Sequence, residues 1–371
     1  MKCLILGAGA TAYCDIANPD RRPPLVRAAD LLRIVREPLD TTFMSSPFGG
    51  EHFCPFCEWA FRHFESDIEE LFTLLFFVSK ERRYEGIEES LTEKHHGKPW
   101  LQKALLVARK LREHEITELP SNILTLLCGM FIEEIQLCIG TTGRSPRPYD
   151  YQRLSDQHRE LVRRLSPKDA VVSFNYDSVG DYALLNERLL NSQSFPNRFL
   201  SVIKLPQKYV AAGGSVAFFK PHGSFTWYST FKPPQNIGVF FGNSDKRTDY
   251  STPAPLILPY HCKEEVFDEF PVFAEELCLS LRAIAQCDEL LLVGKQFCSS
   301  DTDLCDRIKD ACRNRPRRVT YVNPDAEKES WVAHHDRLFN AKDGCGTQRR
   351  FRDLQHYLNV SVRRNASCGG W

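Results

Sequence analysis

The sequence lacks an excess of either charge and lacks any long apolar run. Lys plus Arg and Asp plus Glu both number 48, so the formal net charge is zero. Without a net positive field, overall charge does not recruit nucleic acid or an anionic membrane, and we expect no direct nucleic-acid binding. The longest near-continuous apolar stretch, ELFTLLFFV, is well short of the roughly 20 residues that span a membrane. We therefore expect no membrane association.

A disulfide framework and a secretion signal are also missing. The 14 cysteines are scattered through apolar and helical surroundings, which is typical of reduced thiols in a cytosol. The amino terminus, Met1-Lys2-Cys3, leads at once into LILGAGA, which is too short for the apolar region of a signal peptide. These features predict a soluble, cytoplasmic protein.

The sequence contains a single Cys-x-x-Cys pair, Cys54 with Cys57, flanked by His52 and His63. A four-cysteine zinc ribbon needs a second close pair. A zinc ion on Cys54, Cys57 and His63 is one interpretation, and an unmetallated turn is the favoured one. We therefore expect no metal cofactor.

The apolar runs that are present predict an α/β fold. A chain of 371 residues suffices for one large α/β domain with an insertion. Seven short apolar runs, each followed by Gly, Pro, Asn or Asp, predict buried parallel strands, and helical patterns between many of them predict a Rossmann-like, doubly wound, mostly parallel sheet. The predicted strands are residues 2–6, 169–174, 200–205, 215–219, 255–258, 288–293 and 317–322.

A region with a different sequence pattern indicates how the domains are organised. Residues 55–149 contain long charged and apolar stretches without a convincing strand, and they predict a large helical insertion. The sheet domain would then comprise residues 1–54 and 150–330. Residues 331–371 are polar and predict a helical C-terminal tail.

Glycines follow the first predicted strand, in Gly7-Ala8-Gly9-Ala10-Thr11. Glycines at a strand-to-helix turn let the backbone approach a pyrophosphate, whose charge is then met by amide N–H groups. A tight turn without a ligand is an equal alternative.

Polar residues follow the second predicted strand, in Ser173-Phe174-Asn175-Tyr176-Asp177. The amide of Asn175 and the carboxylate of Asp177 suit the orientation of ribose hydroxyls or a water. They equally suit an Asx turn and a helix N-cap, which is the default role for Asp177.

Three further loops follow predicted strands. His222 lies in Lys220-Pro221-His222-Gly223-Ser224, where a lone histidine is by default an ordinary turn residue. Gly294 follows the sixth strand, and Asn323 and Asp325 follow the seventh. Because parallel strands end at one edge of a sheet, we expect all five loops to converge there.

In this order, the five motifs resemble those of the sirtuin-like superfamily, specifically its prokaryotic defence branch. The resemblance covers most of the chain outside the helical insertion. It implies an NAD-binding sheet domain in which His222 is the general base, and Asn175 and Asp177 hold the nicotinamide ribose and the attacking water. It further implies that Gly7, Gly9 and Thr11 cradle the NAD phosphates, that Gly294 faces the phosphate or ribose region, and that Asn323 and Asp325 contact the adenosine ribose. Ala8 and Ser173 are counted with these NAD-binding residues.

The activity implied by this resemblance is an NAD glycohydrolase that consumes NAD as its substrate during anti-phage defence. Such effectors act as homo-oligomers, often with a HerA-type ATPase or another sensor subunit. The missing zinc ribbon favours water over an acyl-lysine peptide as the nucleophile, while Lys295 and Gln296 stand where many relatives have small hydroxyl residues. The alternatives are an NAD-dependent protein deacylase and a catalytically silent module that senses NAD or ADP-ribose.

Overall fold

The chain divides into two compact units. One comprises Met1–Val26, Ile135–Ile257 and Glu264–Trp371, and the other comprises Arg27–Glu134 and Leu258–Lys263. The predicted boundaries at 54/55 and 149/150 lie outside the described residues and stay a prediction, as does the zinc alternative at Cys54. The structure is a computed structural model that describes residues 1–12, 14–15, 88–89, 92–93, 96–97, 101–113, 155–197, 200–204, 214–224, 227–229, 237–240, 252–253, 271–295, 297, 302–315, 317–341 and 349–360.

Strands and helices alternate along most of the described chain. Short 3-10 turns occupy Ser192–Ser194 and Pro324–Glu327, and residues 354–360 are helical. In chain order the other elements are β1 (Lys2–Leu6), α1 (Ala8–Ala12), α2 (Leu101–Glu113), α3 (Asp156–Val162), β2 (Ala170–Ser173), α4 (Val179–Asn186), β3 (Leu200–Lys204), β4 (Ala217–Phe219), β5 (Trp227–Ser229), β6 (Ile237–Phe240), β7 (Thr252–Pro253), α5 (Pro271–Gln286), β8 (Glu289–Val293), α6 (Thr302–Cys312), β9 (Arg318–Val322), α7 (Glu329–Phe339) and β10 (Arg349–Phe351).

Six strands form one parallel sheet in the order β10-β9-β8-β1-β2-β4. Numbered among these six alone, the order is 6-5-4-1-2-3, which is the order of dinucleotide-binding Rossmann sheets. The chain leaves β1 toward β2 on one side and later returns to β8 on the other. The topological switch point therefore lies between the carboxyl ends of β1 and β8, where open α/β sheets bind ligands.

The central strand is covered on both faces. Cys3, Leu4, Ile5 and Leu6 of β1 are each at most 1% exposed, and successive side chains of a strand point to opposite faces. Burial on both faces is the arrangement of a doubly wound sheet. Helix α6 packs against both α5 and α7, and α3 packs against α4. The predicted α/β, Rossmann-like fold is confirmed.

One predicted strand has partners that the sequence did not indicate. Residues 200–204 are a strand as predicted, but β3 belongs to a smaller sheet of order β3-β6-β5-β7. A local apolar pattern identifies a strand without identifying its neighbour. The strand predicted at residues 255–258 lies outside the described residues and stays a prediction.

The sixth strand of the large sheet, β10, lies within the predicted helical tail. Its sequence Arg349-Arg350-Phe351 offers no apolar run. Its backbone pairs in parallel with Thr320, Tyr321 and Val322 of β9. Short, charged strands are typical of sheet edges, where one side of the ladder meets solvent.

The second unit is described mainly through α2. Leu101, Leu105 and Ala108 are buried at helical spacing, as the pattern in this segment predicts. On its exposed side, Arg109 and Arg112 both contact Glu88, at 3.0 and 2.6 Å. None of the helices that the structure describes combines the length and the apolar character that a membrane crossing requires.

Candidate functional site

The glycine loop packs directly against the loop that follows β8. The N–H of Gly7 donates to the carbonyl of Val293 at 2.9 Å, and the N–H of Gly9 donates to the carbonyl of Gly294 at 2.9 Å. The N–H of Ala10 donates to the carbonyl of Gly7 at 2.8 Å. Three amides of the predicted phosphate loop therefore donate within the protein, and phosphate oxygens placed here would need other donors.

Glycine is required at Gly294 by conformation and by space. Its φ is +63°, and a Cβ added there would lie 1.9 Å from the nitrogen of Ala10. At Gly9, an added Cβ would lie 2.9 Å from the carbonyl oxygen of Gly294. The close backbone approach predicted for Gly294 is present, and its partner is the glycine loop itself. Ala8 is the first residue of α1 and is half-buried.

A cavity of about 360 Å³ opens at the carboxyl ends of β1, β8, β9 and β10. Its place at the switch point is where a Rossmann sheet takes its ligand. Two predicted site residues, Gly9 and Gly294, line it, together with side chains that sequence reasoning did not select. The full lining is Gly9, Ala10, Val293, Gly294, Val322, Pro324, Arg352, Asp353 and Leu354.

The two residues predicted to contact the adenosine ribose have partners in the protein. Asn323 is 8% exposed, and its Oδ1 accepts from the N–H of Asp325 at 2.9 Å, which caps a 3-10 turn. The carboxylate of Asp325 lies 2.7 Å from Nζ of Lys328. Asn323 precedes Pro324 in the cavity wall, so its contact with a ligand stays a prediction.

Three predicted residues form a buried hydrogen-bonded chain across the loops after β1 and β2. Nδ2 of Asn175 donates to Oγ1 of Thr11 at 3.2 Å, and Oγ1 of Thr11 donates to Oδ2 of Asp177 at 2.9 Å. Oδ1 of Asp177 accepts from the N–H of Val179 at 3.0 Å. Asp177 therefore stabilises the start of α4 and holds the glycine loop at the same time. Oγ of Ser173 accepts from the N–H of Asn175 at 3.3 Å.

The amide of Asn175 keeps one unused acceptor. The side chain is 5% exposed, and its buried Oδ1 has no hydrogen-bond partner among the residues that the structure describes. An unpaired buried acceptor is costly, and most such groups in native proteins are paired. Thr11 therefore holds the amide in place, and Oδ1 is left to accept a hydrogen bond from a group other than the described residues, such as a ligand or a water molecule.

His222 lies in the turn after β4, against the loop that carries Asn175. Its ring packs at 5.1 Å from the ring of Phe174, edge to face, and at 6.0 Å from that of Tyr176, stacked. Phe174 and Tyr176 are the immediate neighbours of Asn175 in sequence. The fold thus brings the two predicted catalytic motifs together, with His222 only 8% exposed.

A buried charged cluster lies beneath these two loops. Nζ of Lys220 donates to the main-chain oxygen of Asp177 at 2.7 Å and to Oδ2 of Asp181 at 2.9 Å. The N–H of Lys220 donates to Oε2 of Glu276 at 2.7 Å, and Oγ of Ser224 donates to Oδ1 of Asp181 at 3.4 Å. All five residues are at most 3% exposed. The cluster ties β4, α4 and α5 to the candidate site.

Burial shifts the ionisation of the three carboxyl groups in this cluster. It raises the pKa of Asp177 and of Asp181, and the nearby charge of Lys220 opposes both shifts. Burial also raises the pKa of Glu276 to about 8, so this side chain is protonated at neutral pH. Clusters of perturbed pKa values occur preferentially at functional sites.

Sequence reasoning missed several residues at this edge of the sheet. Lys220 carried a signal, because a charged residue interrupts the apolar run VAFFKP just before a proline. Asp181 is recognisable only as a polar position early in α4. Arg352 carried no signal, because β10 lacks the apolar pattern that would have placed it at the sheet edge.

The chain matches no protein-family model, and no curated protein matches it either.

Proposed function

We propose that this protein is an NAD glycohydrolase, which cleaves NAD with water to nicotinamide and ADP-ribose. The proposal is supported by the Rossmann strand order, by the cavity at the switch point, and by the contact between the loops of His222 and Asn175. These three observations involve residues that follow different strands, so none of them depends on a single sequence motif.

The observation that carries the proposal is the unpaired Oδ1 of Asn175. Thr11 holds Nδ2 of the same amide, so the direction of Oδ1 is set before any ligand arrives. A fixed acceptor suits a ribose hydroxyl or a water molecule, and positioned polar groups lower a barrier because no reorganisation is needed.

The chemistry of NAD cleavage makes modest demands on a site. Nicotinamide leaves as a neutral molecule from a cationic precursor, so no general acid has to protonate it. The ribose carbon passes through an oxocarbenium-like state, which nearby negative charge stabilises. A base then takes the proton from the attacking water, and in this proposal His222 is that base.

The buried cluster supplies charge of the right sign. Both oxygens of Asp177 and of Asp181 accept hydrogen bonds, which suits ionised carboxylates. Lys220 contributes a positive charge, and Glu276 is neutral at pH 7. Two carboxyl groups therefore share the charge of one ammonium group, and this excess of oxygen acceptors favours a cationic transition state.

The test incubates the purified protein with NAD and measures the release of nicotinamide and ADP-ribose by mass spectrometry. We expect His222→Ala and Asn175→Ala to abolish release. His96→Ala and Asn359→Ala serve as matched controls, because both side chains are exposed, and we expect both to retain wild-type rates.

Other outcomes point to the other functions. Release that requires an acylated peptide and yields an acylated ADP-ribose would identify a deacylase. NAD binding by calorimetry without any release, even together with proteins encoded beside it, would identify a silent NAD-sensing module and would refute the role of His222.

The biological setting of the proposal comes from the motif resemblance alone. On that basis we propose a cytoplasmic anti-phage effector that depletes NAD and acts as a homo-oligomer, with a HerA-type ATPase or another sensor subunit as its candidate partner. The thiols of Cys3, Cys278, Cys287 and Cys312 are not in disulfides among the described residues, which agrees with a cytoplasmic location. Size-exclusion chromatography with light scattering measures the oligomer directly.

A further inference from the structure

Lys220 is a buried cation that touches both loops of the candidate site. Its side chain is 2% exposed. Nζ donates to the main-chain oxygen of Asp177 in one loop, and Lys220 itself stands two residues before His222 in the other. One side chain therefore ties the turn that carries His222 to the loop that carries Asn175.

The main chain at Lys220 is held from a second side. Its N–H donates to the carboxyl group of Glu276 on α5 at 2.7 Å. The N–H of Gly223 closes the turn onto the carbonyl of Lys220 at 2.9 Å, with a φ of +81° at Gly223. The turn is therefore anchored at its first residue by α5 and through the lysine side chain by α4, which leaves His222 little freedom to move.

Stability alone does not explain a lysine at this position. Removing an ammonium group from water is costly, and its pairing with Asp181 at 2.9 Å offsets that cost only in part. An apolar side chain of similar length would fill the same space without desolvating a charge. The distinctive feature of the lysine is its simultaneous contact with Asp177 and Asp181.

We propose that Lys220 is a positioning residue that holds the imidazole of His222 in a fixed orientation against the Asn175 loop. Its effect on a reaction rate rests on the NAD glycohydrolase activity proposed above. Its effect on the placement of His222 does not depend on that activity. The effect on the reaction rate and the effect on the placement of His222 are therefore measured separately.

A double variant separates positioning from folding. The single change Lys220→Met would leave the carboxylate of Asp181 buried without its cation, which endangers folding. The double variant Lys220→Met/Asp181→Asn removes both charges and keeps the shape of both side chains. Lys220→Arg keeps the charge and the donors, and it tests rescue by a conservative change.

Arg317→Met is the matched control. Arg317 is also fully buried, and its Nη1 donates to the carbonyl of Ile284 at 2.6 Å. It immediately precedes β9 and so lies at the amino-terminal end of that strand, whereas Asn175 and His222 follow the carboxyl ends of β2 and β4. Its loss should lower stability without changing the placement of His222.

The kinetic expectation is a change in kcat with little change in KM. We expect the double variant to fold and to release nicotinamide with a kcat on the order of 100-fold lower, because the general base loses its orientation. We expect KM to stay within about 3-fold of wild type, because the contacts with substrate remain. Lys220→Arg should recover part of kcat, and Arg317→Met should keep the wild-type kcat.

Heteronuclear NMR of the histidine rings gives a measurement without any reaction. The signals of His222 are assigned by their loss in His222→Ala. We expect their chemical shifts to change in the double variant and to stay unchanged in Arg317→Met. Unchanged signals, or a wild-type kcat in the double variant, would overturn the proposal. Changed signals in a protein that does not cleave NAD would sustain the positioning role and refute the proposed activity instead.

Discussion

The side-chain amide of Asn175 donates to the hydroxyl of Thr11 at 3.2 Å across 164 residues of sequence. This bond joins the loop after β1 to the loop after β2, and the same hydroxyl donates onward to Asp177. One threonine therefore positions both the amide with the unpaired acceptor and the carboxylate that accepts from the N–H of Val179 at the start of α4.

Thr11→Val tests this hydroxyl at nearly constant shape. We expect the proposed NAD cleavage to fall by about 10-fold to 100-fold, because Nδ2 of Asn175 and Oδ2 of Asp177 both lose their partner. Thr11→Ser, which keeps the hydroxyl, should retain most of the activity. Steady-state nicotinamide release measures both variants, and equal rates in the valine and serine variants would show that the bond is not needed.

Gly294→Ala should destabilise the sheet domain severely. The new Cβ would lie 1.9 Å from the nitrogen of Ala10 at a φ of +63°, so the two backbones would have to separate. Gly97→Ala is the matched control, because its φ is +81° and no atom lies within 4 Å of the added Cβ. In this control we expect the free energy of unfolding to fall by about 1 kcal/mol, because alanine is strained at a positive φ.

Thermal unfolding followed by near-UV circular dichroism compares the two alanine variants. We expect Gly294→Ala to melt well below Gly97→Ala or to fail to fold. Similar melting temperatures would mean that the two backbones at the switch point do not pack as closely as described.

Glu276→Gln should change how stability depends on pH. Burial raises the pKa of Glu276 from 4.5 to about 8, so the folded protein keeps a proton that the unfolded chain releases. The stability linked to this proton is fully present below about pH 4.5 and is lost as the pH rises to about 8. Glutamine keeps an acceptor for the N–H of Lys220 and has no proton to lose.

Denaturant unfolding at pH 5 and pH 8 measures this difference. Relative to wild type, we expect Glu276→Gln to gain about 1 to 3 kcal/mol in unfolding free energy between the two pH values. Glu327→Gln, at an exposed carboxylate, should follow the wild-type pH dependence. A wild-type pH dependence in Glu276→Gln would contradict the protonated state of Glu276.

Arg352→Gln tests whether the cavity at the switch point takes part of the substrate. Arg352 lines that cavity beside Gly294 and Pro324 and is exposed there. If it contacts a phosphate or the adenosine, its loss should raise KM for NAD by about 10-fold and leave kcat nearly unchanged. Arg313→Gln, an exposed arginine at the end of α6, should change neither constant, and the same result in Arg352→Gln would place the substrate elsewhere.

The sequence by itself determined the main strands of the sheet and the loops that follow them. Short apolar runs such as residues 3–6 of β1 are buried on both faces in a doubly wound sheet, and this burial leaves a local signature. Turn residues after each run then placed Gly7, Asn175, His222 and Gly294 at one edge, because parallel strands share their carboxyl side.

Only the tertiary structure decided how these loops are used. The partner of a strand depends on contacts far along the chain, so β3 joined a second sheet and β10, with two arginines, joined the first. The hydrogen bonds from the amides of the glycine loop to the loop after β8 also join distant parts of the chain. The buried charge of Lys220 likewise finds its partners, Asp177 and Asp181, only in the folded protein. Burial and long-range hydrogen bonding are properties of the folded chain, and a local sequence pattern does not encode them.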